Sequence, residues 1–251
     1  MIDSKLDPDT DSASVSSRTQ TRSIEALMSN AQSSAGGSWS AYVIVPGTGE
    51  AISVNESRMQ AASLIKLYIM GAVYENYDEL KSKNSDIDTL LYQMITVSDN
   101  TSANTLISLL GGGSSDTGKQ AVNSYCAEHG FYNTEINRLL LEPNTNGDNY
   151  TSTGDCGRFL LMVYNGQLPH SGDMTALLKQ QTRTYKIPAG IPGGVTTANK
   201  TGELDYVQND AAIVYSDTPY IICVMSENLN DSSTAVQSIA YISAGVYEYI
   251  N

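Results

Sequence analysis

The stretch AASLIKLYIM, residues 61–70, is an apolar helical run with two misfits, Ser63 and Lys66. Three residues apart on a helix, the two share a face with Cβ atoms about 5–6 Å apart. A lysine held beside a hydroxyl in apolar surroundings loses hydration. Its pKa falls, and it can exist as the neutral amine. A neutral amine can accept the serine proton and create a nucleophile. Taken alone, the pair also reads as a lysine reaching to solvent and a serine bonded to its own helix. The rest of the chain has to decide between these readings.

Around this run the pattern is helical. QAASLIKLYIMGAVYENY predicts one helix of about four turns. IDTLLYQMITV predicts another, broken at VSDNT, and TSANTLISLL resumes and stops at Gly111, Gly112 and Gly113. Helices are expected over 116–128 and 153–164, with an Asn- and Gly-rich loop between them. The two ends of the chain differ from this block. Ser23 is an expected N-cap for a helix over 23–34, followed by two short β-type runs around PGTGE, a hairpin signal. IPAGIPGG, residues 187–194, interrupts the chain. VTTANKTG, DAAIVYS and YIICVMS then predict strands, and residues 231–250 predict a closing helix. The economical fold is of the α/β (α+β) class. One antiparallel sheet is built from both ends of the chain, 23–58 and 190–251, and flanked by helices from both termini, while residues 59–189 form an all-helical lobe.

Composition narrows the function. The chain has 251 residues and a formal net charge of −13, which opposes binding to nucleic acid phosphates. No run approaches the roughly 18 apolar residues of a membrane span. Residues 1–22 are polar and Ser/Thr/Asp-rich, and composition predicts a disordered linker or stalk that once followed a targeting segment. That predicts an exported, extracytoplasmic protein, secreted or tethered to the outer face of a membrane; a cytoplasmic protein with a floppy tail is the alternative reading. Cys126, Cys156 and Cys223 show no CxxC spacing, and a Cys126–Cys156 bridge is left open. Only two histidines exist, His129 and His170, both in polar surroundings that predict surface positions. A histidine-rich metal site is not expected, nor is any cofactor.

Two further triplets bear on Ser63 and Lys66. Ser98-Asp99-Asn100 sits at the break between two helices, where a serine can relay a proton and an asparagine amide can hold a substrate carbonyl. Alone it is an ordinary capping turn. Lys200-Thr201-Gly202 sits on a predicted strand and offers a positive charge, a hydroxyl and close backbone approach to an anionic substrate. Serine-x-x-lysine, SDN and KTG in this order are far more specific than any one of them. The chain resembles the class A β-lactamase and penicillin-binding protein family from about residue 24 to the end. AASLIK resembles the small residues before the family's nucleophile. SDNTSAN fits its SDN-x-x-x-N form, with Asn104 as a buried anchor. NYTST, QNDAAIVY and the terminal helix also fit.

The resemblance implies a β-lactamase/transpeptidase-like fold and acyl transfer. Ser63 would be the nucleophile, Lys66 a proton acceptor and Ser98 the proton relay to the leaving nitrogen. Asn100, Lys200, Thr201 and Gly202 would bind substrate. The N–H groups of Ser63 and Glu203 would form the oxyanion hole. The implied partner is a small β-lactam or a peptidoglycan-derived D-Ala-D-Ala-like peptide, and a monomer is expected.

Three departures qualify the resemblance. The family's deacylating glutamate falls on Leu140 if Arg138 is the loop arginine. Alternatively it is Glu142, because Glu142-Pro-Asn-Thr-Asn146 mimics ExxxN. The first registration predicts a penicillin-binding, peptidase-like enzyme with weak deacylation, the second a competent class A β-lactamase. Only 35 residues separate Ser63 from Ser98, which predicts a more open cleft. No arginine follows Arg183, so Lys200, Thr201 and Ser98 are expected to hold an anionic substrate. Outside the enzyme class, a non-turnover β-lactam sensor or wall-binding module remains open. The GxxxxGK match at Gly113–Lys119 lacks the following Ser/Thr and the preceding strand, and a GxSxG elbow is absent.

Overall fold

The computed structural model describes residues 8–145 and 147–251, with side chains from residue 21 onward. Five antiparallel strands form the main sheet in the order β2-β1-β7-β6-β5. They are β1 (Ser38–Ile44), β2 (Ala51–Val54), β5 (Thr196–Leu204), β6 (Val207–Tyr215) and β7 (Tyr220–Glu227). β1 from the front of the chain pairs with β7 from its end, Trp39 opposite Ser226 and Val43 opposite Ile222. The strands alternate with period two, and both faces are buried. Ile221, Cys223 and Met225 of β7 join one core; Tyr220, Ile222 and Val224 join the other.

The second core lies under α1 (Pro8–Ala35) and α9 (Ser232–Ile250). Ile24, Leu27, Met28 and Ala31 give α1 an i, i+3, i+4, i+7 stripe against the sheet. α1 starts at Pro8, well inside the stretch that composition assigns to a linker. Once the apolar second half is docked, each added turn costs no new nucleation, and proline suits the first helical position. Residues 1–7 of that expected linker lie outside the described residues.

The first core lies between the sheet and α2 (Ile65–Glu75), α3 (Tyr77–Lys83), α4 (Ile87–Thr96), α5 (Asn100–Leu110), α6 (Ser115–Glu128), α7 (Thr153–Tyr164) and α8 (Ser171–Leu178). α2 is the axle of this lobe, buried at every position from Ile65 to Tyr74, Lys66 included. A small ribbon of β3 (Met59–Gln60) and β4 (Tyr150–Thr151) leads into it. Gly118 lets α5 and α6 touch, since a Cβ there would lie 1.8 Å from the Ile107 carbonyl oxygen.

The structure corrects two sequence expectations, the single helix over 60–77 and the surface position of His129, and decides the open question of the cysteine bridge. The single helix over 60–77 is broken: Ala62–Leu64 form a 3-10 turn, α2 starts at Ile65, and α3 follows separately. The β3–β4 ribbon fixes Gln60, and Ala62 adopts φ 48°, which a continuous α-helix does not accommodate. The bridge left open between Cys126 and Cys156 is not formed, and all three cysteines are free and buried. Cys156 instead faces the Tyr68 hydroxyl at 3.5 Å. His170 is exposed, but His129 is half-buried and lies against the Tyr125 ring at 4.2 Å.

Candidate active site

Ser63 is the middle residue of the 3-10 turn, at the seam between the sheet and the helical lobe. The turn is braced from three directions. The Asn149 carbonyl accepts the Ala61 N–H at 2.8 Å, and the Asn209 amide donates to the Gln60 and Ala61 carbonyls at 2.9 and 3.2 Å. Gly202 of β5 presses in from the third side, where a Cβ would lie 2.7 Å from the Ala61 carbonyl oxygen. Two non-glycine residues beside the nucleophile hold left-handed backbone, Ala62 at φ 48° and Ser98 at φ 62°. Such strain persists only where the surroundings over-determine it, and it concentrates at functional sites.

Lys66 is completely buried. Its Nζ meets the Ser98 carbonyl at 2.6 Å, Asn100 Oδ1 at 2.7 Å, and the hydroxyls of Ser63 and Ser98 at 3.1 Å each. The two shorter partners can only accept, so they take two N–H bonds. The longer partners are hydroxyls, either of which can donate to a neutral amine. Burial, then the field of Arg183, pulls the Lys66 ammonium down to about 7, against the opposing pull of Asp99. Asp99 caps α5 by accepting the Ser102 N–H. Because Lys66 occupies the carbonyl oxygen of the Asn100 amide, the NH2 end is left for the cleft.

From the sheet side, Lys200 Nζ donates to Ser98 Oγ at 2.9 Å and to the Thr201 carbonyl at 2.8 Å. Ser98 Oγ therefore bridges two lysines. Burial, followed by Lys66 and Arg183, pushes Lys200 well below the ordinary lysine range. Thr201 Oγ1 is buried without a hydrogen-bond partner among the described residues. Ser63, Asn100, Leu140, Glu142 and Glu203 share a cavity of about 290 Å³, which adjoins a larger one of about 520 Å³ along the end of β5.

The loop over 138–149 forms one wall. Arg138 pairs with the buried Asp148 at 2.8 Å, and the Asn149 amide closes the neck on the backbone of Asn137 and Arg138. Leu140 is buried. Its N–H donates to Asn104 Oδ1 at 2.9 Å, and its carbonyl accepts from Asn104 Nδ2 at 3.0 Å. Leu141 turns outward at φ 71°, and Glu142 is exposed, its carboxylate accepting the Leu139 N–H at 3.0 Å. Asn146, the last residue of the ExxxN mimic, lies outside the described residues. Asn104→Leu should leave both Leu140 backbone groups unpaired and cost about 2 kcal/mol of unfolding free energy in a denaturant titration.

Sequence reasoning passed over Arg183 as a site residue. Its Nη1 reaches Glu203 Oε2 at 3.1 Å, and its charge acts on both Lys66 and Lys200. Its only signal was being the last arginine of the chain. Glu203 was read for its backbone alone, whereas its carboxylate also accepts from Tyr185 at 2.6 Å and pairs with Lys186 at 2.9 Å. Burial pushes that carboxyl up, but Lys186, Tyr185 and Arg183 outweigh it and hold it below the usual value. Among the described residues, no group of three or more His, Cys, Asp or Glu side chains could hold a metal, and no helix is long and apolar enough to cross a membrane.

This sheet, with a helical lobe set against one face and a serine–lysine pair at the seam, is the β-lactamase/transpeptidase fold. The chain belongs to the β-lactamase enzyme family, a group of serine-hydrolase type, whose family model matches residues 20–88 and 78–250. β-Lactamase FAR-1 of Nocardia farcinica is 28% identical over 153 residues, covering 58% of this chain and 48% of that protein, so the chain matches about half the length of that relative. A β-lactamase structure from Sphaerobacter thermophilus superposes with a TM-score of 0.79 at 25% identity, covering 90% of this chain and 96% of the other. PBP-A superposes with a TM-score of 0.78 at 26% identity, covering 92% and 95%. A leucine-to-glutamate mutant of PBP-A has been solved as an acyl-enzyme complex with penicillin G; it superposes with a TM-score of 0.77 at 26% identity, covering 92% of this chain and 96% of that one.

Proposed function

We propose that the protein is an acyl-transferring serine enzyme that opens β-lactams, or cleaves D-Ala-D-Ala-like amides, through an acyl-enzyme on Ser63 and releases the acyl group slowly. The carrying observation is the meeting of Ser63 Oγ, Lys66 Nζ, Ser98 Oγ and Lys200 Nζ in one hydrogen-bonded chain. The capture of penicillin G by the PBP-A mutant supports the substrate class. The serine oxygen attacks the carbonyl carbon as its proton passes to neutral Lys66. The oxyanion is received by the N–H groups of Ser63 and Glu203, each worth ~3 kcal/mol in such holes. The C–N bond then breaks, and the proton moves from Lys66 through Ser98 to the leaving nitrogen. The substrate carboxylate sits by Lys200, Thr201 Oγ1 and Arg183. Its charge restores the Lys200 ammonium, so Lys66 is the lysine that stays neutral.

Slow release follows from Leu140. The Arg138–Asp148 pair supports Arg138 as the loop arginine, which puts leucine where a competent class A enzyme needs a glutamate. Glu142 is the second reading, favoured by its place in the same cavity as Ser63, and Glu142→Gln tests it. With β-lactam or cell-wall peptide as substrate, the protein works outside the cytoplasm as a monomer and needs no cofactor.

The test is the pH dependence of labelling by a fluorescent penicillin. Lys66 must be neutral, and its pKa lies at about 7. The acylation rate should therefore rise about tenfold per pH unit below pH 7 and level off above it. A flat rate between about pH 5.5 and 8.5 would remove Lys66 as proton acceptor. A label that forms but is never released would make the protein a sensor.

A further inference from the structure

Lys186 has no exposed surface, and the chemistry above does not use it. It lies behind β5, which is one of the two edge strands of the sheet. Its Nζ reaches Glu203 Oε1 at 2.9 Å, the Asn209 carbonyl at 3.1 Å and the Gly202 carbonyl at 3.4 Å. An ammonium has three N–H bonds, and here each has an acceptor. Burial lowers the Lys186 pKa, opposed first by Glu203 and then by Asp210.

The Gly202 carbonyl and the Glu203 N–H belong to one peptide group. A trans peptide is planar, and its C=O and N–H point in opposite directions. A cation on the carbonyl end therefore fixes where the N–H end points. It also draws electron density toward the oxygen, which makes the N–H a stronger donor. That N–H is the oxyanion donor of the proposed reaction, and the same peptide is packed against the nucleophile's turn through Gly202. Glu203 raises a second requirement. A carboxylate on the residue that supplies the donor opposes a developing negative charge unless it is neutralised. Two cations, Arg183 and Lys186, meet this one carboxylate.

We propose that Lys186 is a positioning residue for acyl transfer: it aligns and polarises the Gly202–Glu203 peptide and neutralises Glu203, so that the Glu203 N–H can hold the oxyanion. This rests on the acyl-enzyme reading. The test compares wild type, Lys186→Met, Lys186→Arg and the double variant Lys186→Met/Glu203→Gln, which removes the charges of both Lys186 and Glu203. Penicillin concentration series separate the pre-covalent binding constant from the acylation rate constant. Infrared spectra of acyl-enzymes made with carbonyl-labelled penicillin report how strongly the hole polarises the acyl C=O. Lys186→Met and the double variant should acylate about 10–100-fold more slowly, with little change in binding, since losing an oxyanion donor outright costs about 10²–10³-fold. Their acyl carbonyl band should move to higher wavenumber, and Lys186→Arg should recover part of both effects. A folded Lys186→Met or double variant that acylates within about twofold of wild type with an unmoved band overturns the proposal. Loss of folding in every variant also overturns it, by making Lys186 a stability residue. If wild type itself takes no penicillin, it is the acyl-enzyme reading that has failed.

Discussion

Ser63→Ala should take no label from a fluorescent penicillin under conditions where wild type is labelled stoichiometrically. The expected loss is on the order of 10⁴–10⁶-fold, because no neighbouring group can replace the oxygen that becomes the ester. The other hydroxyl on Lys66, that of Ser98, is already shared with Lys200 at 2.9 Å and belongs to the opposite wall. The substitution removes one atom from a partly exposed position in the 3-10 turn. The braces from Asn149, Asn209 and Gly202 act on backbone at residues 60–64, so the melting temperature should change little. Undiminished labelling of Ser63→Ala would place the nucleophile elsewhere.

Leu140→Glu is expected to shorten the acyl-enzyme lifetime by about 10²–10⁴-fold, the usual contribution of a general base. The backbone of residue 140 is clamped on both sides by Asn104, so the new carboxylate should enter the cavity where leucine now sits. Acylation should be nearly unchanged, because proton transfer in that step runs through Lys66 and Ser98. The effect is therefore confined to the second half of the reaction, and turnover of a chromogenic cephalosporin reads it directly. Glu142→Gln in the same assay should alter nothing, since that carboxylate is turned back on the Leu139 N–H. If Glu142→Gln abolishes turnover and Leu140→Glu adds none, the loop register is the other one.

Much of the site can be read in the linear sequence because its chemistry sits in short pieces. Ser63 and Lys66 are one turn apart, Ser98 and Asn100 flank a helix cap, and Lys200 to Gly202 share a strand. The sheet was equally legible, since β5 to β7 carry β-type runs, and its two ends had to meet to cover their apolar faces. What escaped depends on groups that meet only in the fold. Arg183, Tyr185, Lys186 and Glu203 converge at the end of β5, and no spacing announces that one carboxylate will take two cations. The break at Ala62 escaped because the local apolar pattern favours helix, and only the ribbon at Gln60 and the approach of β5 override it. α3 and α8 are two turns long, too short for periodicity to stand out. Leu140 and Glu142 stayed open as alternatives in the sequence because the Arg138–Asp148 pair, which bears on the loop's register, joins residues ten apart and forms only in the fold.

The most direct measurement is a timed mass spectrum of the intact protein after mixing with penicillin G, followed by peptide mapping. The account predicts a single adduct carrying the whole penicillin, mapped to the peptide that contains Ser63. It should form faster as pH rises through about 7 and decay slowly back to free protein. No adduct at any time with the penicillin left intact, or an adduct mapped to any other residue, would contradict it.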